Sequence, residues 1–228
     1  MSPNSSFAKF LRFIGILLMS LTGGFTLLGG VGTTCVALNP TGFGESMAKL
    51  APFQWLYILF VLAGIAIGAW GVWAAIQLVK GAPNSYKTSL QALIAGILVG
   101  GFHIYMSRLL RGKSMPVDAV VYVTLLTLFV FLLFRIPSVW QGVDFSKAGK
   151  NKTAGGAAAM VVGLLALTIQ RTMGATHTWN GINYADAFNA SMTAVGLGLI
   201  LFGLGALLPP PRKAENSFEV TLFPSKTD

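Results

Sequence analysis

The chain is poor in charge. Only 10% of its 228 residues are Asp, Glu, Lys or Arg, against roughly 25% in a soluble domain, so it lacks the polar surface needed to face water all round. Cysteine is nearly absent. Cys35 stands alone, which excludes an intrachain disulfide and any cysteine-rich zinc or iron–sulfur centre, and a lone thiol reads as a small buried hydrophobe. Acidic residues number seven against sixteen basic ones, a net charge of +9. In a soluble protein that surplus would suggest nucleic acid. Here the basic residues stand at the ends of apolar runs, where they meet lipid headgroups, and no nucleic-acid partner is expected. There is no Walker or dinucleotide glycine motif, no Gly-x-Ser-x-Gly elbow and no HxxxH or ExxH pair. No catalytic residue and no metal ligand is therefore assigned.

What the chain has is apolar length. Hydrophobic residues make up 54% of it and its mean hydropathy is +0.69. A helix crossing the hydrocarbon layer needs about 20 apolar residues, and six runs approach that length. They are Phe13 to Leu28 with an apolar continuation to Leu38, Trp55 to Val79, Leu90 to Met106, Val117 to Phe134, Gly155 to Ile169, and Ala190 to Leu208. The turn Gly81-Ala82-Pro83-Asn84 separates the second from the third, and Pro209-Pro210-Pro211 closes the sixth. The expected fold is an all-α, polytopic membrane bundle over residues 1–211, with a short polar tail at 212–228. The first run, preceded by Lys9 and Arg12, also resembles a signal peptide, but its continuation to Leu38 is long enough to span and it is kept as a helix.

Six spans put both termini on one side. Lys49, Arg108, Arg111, Lys113 and Arg171 fall on the other, which leaves eleven of the sixteen Lys and Arg residues with the termini. The positive-inside rule then makes the termini cytoplasmic, in a plasma membrane of bacterial (inner-membrane) type. Trp55, Tyr57, Trp140, Trp179 and Tyr184 lie near the ends of runs and suit interfacial anchoring.

Glycine is abundant, at 27 residues. Gly64 and Gly68, Gly96 and Gly100, Ala159 and Gly163, and Ala194 and Gly198 are small residues four apart, each pair on one helix face where another backbone approaches closely. Gly23-Gly24 and Gly29-Gly30-Val31-Gly32 weaken the first helix and read as a loosely wound end, with a broken helix of the transporter kind as the alternative.

Only two histidines occur, His103 and His177, and the topology brings both to the outer side with Arg108, Arg111 and Arg171. Two imidazoles on separate helices are candidate axial ligands for a haem of the b type, with the arginines meeting its anionic groups; a quinone is an alternative occupant. Asp118 is expected at the dipole-positive start of the fourth run, behind Ser114 as cap and Pro116 in the first turn. Asp186 is expected to pair with Arg171 across an Asn180-Gly181 turn. Three functions follow as expectations. The leading one is a non-catalytic subunit or assembly factor, whose partners are the lipid bilayer and other membrane subunits or further copies of itself. The others are a haem- or quinone-binding redox subunit and a small-solute or ion transporter.

Overall fold

The computed structural model describes residues 2–173, 177–179 and 181–208, and for 169–173 and 179 the backbone alone. Helix α1 spans Ser6–Gly32 and resumes after Thr33 as α2, Thr34–Leu38. A loop bearing the short α3, Glu45–Ala48, leads to α4, Gln54–Lys80. Then follow α5, Ser85–Arg111, α6, Val117–Phe134, and the short α7, Pro137–Val143. Helix α8 covers Lys152–Met173, a two-strand hairpin joins β1, Thr178–Trp179, to β2, Ile182–Asn183, and α9, Tyr184–Ala187, precedes α10, Asn189–Leu207. Among the described residues the protein is thus all-helical apart from this hairpin. Among the described residues five helical segments are long and apolar enough to cross a membrane: Ser6–Leu38, Ala51–Lys80, Ser85–Arg111, Val117–Phe134 and Asn189–Leu207. The described apolar part of α8, Lys152–Thr168, is shorter.

The element ends follow from local chemistry. Ser5 caps α1 by accepting the Ala8 N–H at 3.2 Å. Helices α4 and α5 end at Gly81 and Gly112, with φ of 67° and 71°, the left-handed stop that glycine adopts without a Cβ clash. Helix α6 ends at Arg135-Ile136, because the residue before Pro137 is pushed out of the helical region.

Helix α1 is central, packing on α4, α6, α8 and α7. At one end of the bundle Ile16 and Met19 of α1, Leu78 of α4, Phe131 of α6 and Phe145 form a closed apolar core. The polar stretch 141–152 folds back under this end and buries Val143 and Phe145. At the other end Tyr57, Phe60 and Val61 of α4 pack with Ala37 and Leu50.

Two expectations about α1 are corrected. Arg12 is turned into the protein and not outward: it is 3% exposed and donates to the Gly142 carbonyl at 2.6 Å and the Pro3 carbonyl at 2.9 Å, tying α1 to α7. The glycines do not loosen or break the helix, which stays regular to Gly32; they admit α4. A Cβ on Gly23 would stand 2.6 Å from the Val72 nitrogen, and one on Gly30 would stand 2.8 Å from the Ile65 nitrogen. In return Gly71 meets Gly23 and Gly64 meets Gly30, so the helices run antiparallel with glycines seven residues apart on each. Helices α8 and α10 repeat the device, with Gly156 on Gly203 and Gly163 on Gly196. The pair Ala194 and Gly198 is not used this way among the described residues; both are exposed, and no described residue lies within 4 Å of a Cβ placed on Gly198.

Candidate functional site at the histidine end

Helix α5 carries His103, Ser107 and Arg111 at intervals of four, which is one face of a helix. The His103 ring stacks on Phe60, centroids 4.3 Å apart at 13°, and meets Tyr57 edge-on at 5.3 Å. Beneath it the Tyr57 and Ser107 hydroxyls are 2.9 Å apart and buried. Tyr57 is therefore 6% exposed and serves as a core partner of the histidine, not as an interfacial anchor. Trp55, two residues earlier, is 62% exposed. The sequence points to Tyr57 only as an anchor and does not single out Phe60 or Ser107; the four-residue spacing on α5 is the available signal.

The arginines are held by the turn that joins α5 to α6. Arg108 donates through Nε to Ser114 Oγ at 2.9 Å and through Nη2 to Asp118 Oδ1 at 3.0 Å. Ser114 in turn donates to the Asp118 carboxylate, at 2.7 Å to its nearer oxygen. The Asp118 side chain is 9% exposed and that of Arg108 57%, so water screens half of the pair and its net worth stays below about 1 kcal/mol. Arg111 donates to the Met115 carbonyl at 2.9 Å, and its buried Nε has no partner among the described residues. Asp118 lies in the first turn of α6 as expected, but Ser114 is not the cap. The helix begins at Val117, Pro116 precedes it, and the Ser114 hydroxyl serves the carboxylate.

His177 comes to the same end. Its Nε2 lies 3.1 Å from where a Cβ on Gly32 would stand, against the last turn of α1. The Arg171 side chain, and with it the expected Arg171–Asp186 pair, falls outside the described residues; Asp186 accepts from the Asn183 amide at 2.7 Å. The hairpin register pairs Thr178 with Asn183 and Trp179 with Ile182, and Gly181 has φ of 77°, the left-handed backbone that glycine adopts without a Cβ clash; Asn180, the other half of the expected turn, falls outside the described residues.

Between α1, α4, α5 and α6 lies a cavity of about 70 Å³, lined by His103, Phe60, Thr26, Thr33, Thr124 and glycines of three of these helices. At about 10–15 Å³ per water it has room for roughly five, well short of the ~300–1,000 Å³ of a pocket for a drug-sized ligand. Among the described residues no three His, Cys, Asp or Glu side chains gather as a metal site. Cys35 is half-buried.

The opposite end holds a different arrangement. The Arg135 guanidinium sits 5.0 Å over the Trp140 ring and 5.7 Å from that of Tyr86, a cation–π seat. Nearby, burial pushes the Asp144 carboxyl up, but hydrogen bonds from the Ser146 hydroxyl and N–H, together with Lys147, outweigh it and hold the group below its ordinary value. No family model matches the chain, and no curated protein or solved structure matches it either.

Proposed function

We propose that the protein is a non-catalytic subunit or assembly factor of a larger complex in the plasma membrane, crossing it six times with both termini in the cytoplasm. The observation that carries this reading is the outer face of α10. On four helices, glycines seven residues apart seat on a neighbour's backbone; α10 has a second pair at that spacing, Gly198 and Gly205, and no described residue lies within 4 Å of a Cβ placed on either. Leu197, Leu201 and Phe202 beside them are exposed. In lipid, helix association rests on close backbone approach, since apolar contact alone is no better than lipid. A transmembrane helix of another subunit, bearing small residues at the same spacing, fits this face.

Native mass spectrometry of protein extracted in mild detergent tests the reading. Partner chains in fixed ratio, lost in a Gly198→Ile/Gly205→Ile variant, support it; a bare monomer overturns it, and a self-oligomer redirects it to association of like copies. A second reading keeps His103 and His177 as ligands of a haem or contacts of a quinone, because both reach one end of the bundle; a preparation without a Soret band or extractable quinone removes it. The transporter reading loses one motive, since α1 is not broken at its glycines.

A further inference from the structure

The cavity beside His103 has chemistry of its own. Its rim is built from helix ends at that end of the bundle: Thr33 follows α1, Pro116 precedes α6, and His103 is within the last turns of α5. Its floor reaches Thr124, seven residues into α6, or about 10 Å at 1.5 Å per residue. That is a third of a hydrocarbon layer of about 30 Å.

The polar groups there face in a consistent sense. Thr26 gives its hydroxyl proton to the Thr22 carbonyl at 2.8 Å, Thr33 to Gly29 at 2.9 Å and Thr124 to Val120 at 2.7 Å. Each oxygen is left as an acceptor only. No hydrogen bond from the described residues reaches the His103 ring nitrogens, and a neutral imidazole offers one donor and one acceptor. Polar groups within a membrane domain stay unpaired where water reaches them.

The glycines agree. Gly23, Gly30, Gly68 and Gly71 in the α1–α4 seam are needed because a backbone lies where a Cβ would stand. Gly29 and Gly96 are different: a Cβ there would meet only Val120 at 3.6 Å, or Thr124 at 3.5 Å and Ile67 at 3.6 Å, all ordinary contacts with other cavity-lining side chains. Packing does not demand glycine at either position. What an alanine would take away is space in the cavity.

We propose that this cavity is a hydrated vestibule, entered from the histidine end, in which His103 and the three threonine oxygens bind a small solute of a few non-hydrogen atoms that is rich in hydrogen-bond donors, water included. An apolar void of this size would stay dry; the acceptors and the imidazole make it wet.

The single native cysteine makes the test direct. In a Cys35→Ser background, Gly29→Cys, Gly96→Cys and Thr33→Cys are reconstituted in lipid nanodiscs, where water reaches both ends, and exposed to a small cationic methanethiosulfonate. Leu98→Cys and Gly101→Cys on α5 are controls: Leu98 is 68% exposed and a Cβ on Gly101 meets nothing, so both face lipid. Only a thiolate reacts, and a thiol ionises only in contact with water. The vestibule positions should label at least about tenfold faster than the controls. Thr33→Cys exchanges one small side chain for another and keeps the test informative if a glycine variant misfolds. Equal rates at vestibule and control positions overturn the proposal, as does labelling only by an uncharged lipophilic maleimide, which would make the cavity a lipid-facing cleft.

Discussion

Two glycines one turn apart on α4 should respond to alanine with opposite signs. At Gly68 a Cβ would lie 2.5 Å from the Leu27 Cα and closer still to its nitrogen. Contact between such atoms is comfortable at about 3.5–4.0 Å, so α1 and α4 must part by roughly 1 Å, and both atoms are backbone with no rotamer to yield. Overpacking of this kind costs about 1–3 kcal/mol, while alanine returns about 0.8–1.0 kcal/mol of helix propensity; the net for Gly68→Ala is a loss of up to about 2 kcal/mol. At Gly64 the Cβ would meet only the Gly30 Cα, at 3.5 Å. The propensity gain then stands almost alone, and Gly64→Ala should be neutral or stabilising by up to about 1 kcal/mol. Thermal unfolding in one detergent reads both, at about 2–4 °C per kcal/mol for a chain of this size. If the two variants melt together, or Gly68→Ala melts higher, the close approach of α1 and α4 is not what holds these helices.

Other substitutions test other contacts. Arg12→Gln should lower the melting temperature clearly more than Lys9→Gln, because charged hydrogen bonds to buried carbonyls are each worth about 1.5–3 kcal/mol and Lys9 is exposed. Tyr86→Phe removes the 2.6 Å hydrogen bond to the Phe131 carbonyl and should cost about 0.5–1.5 kcal/mol in the same assay; no change would show that the carbonyl finds another partner. Asp144 has a lowered folded-state pKa, so its contribution is complete above its unfolded value and is lost as pH falls through the folded one. Asp144→Asn should flatten the acid limb of a melting-temperature profile below about pH 4 and leave its slope near neutrality unchanged; an unaltered acid limb would refute the assignment.

Hydropathy made the spans legible because lipid imposes one strong requirement on every residue of a span. The fourth run, Val117 to Phe134, coincides with α6 end for end, since Pro116 and Pro137 punctuate it. Its neighbour was read short at both ends: α5 extends to Ser85 and Arg111, where Tyr86 and Ser107 supply polar atoms that lower the running average but are bonded within the bundle. Helix pairing was not legible. Gly64 and Gly68 announced a close approach, yet nothing in them names α1 as the neighbour, and Gly23 and Gly30 looked like weakness until Gly71 and Gly64 were found against them. At the site, His103, Arg108 and Arg111 were visible as rare residues at a helix end. Tyr57 and Phe60, which hold the His103 ring, and Ser107, which bonds Tyr57, are of types common in any membrane helix, and only the three-dimensional arrangement distinguishes them.

The seam between α1 and α4 also sets a direction for change. Glycine has no smaller substitute, so every replacement at Gly23, Gly30 or Gly68 adds atoms where a neighbouring backbone already stands. Most packing contacts can drift both ways, a valine widening to isoleucine while its partner shrinks in compensation. Here the opposing surface is main chain, and no compensating side chain exists on it to shrink. The two helices must therefore accept each mutation at these positions as a step apart, and a descendant of this protein can return to the same contact only by restoring the glycine itself.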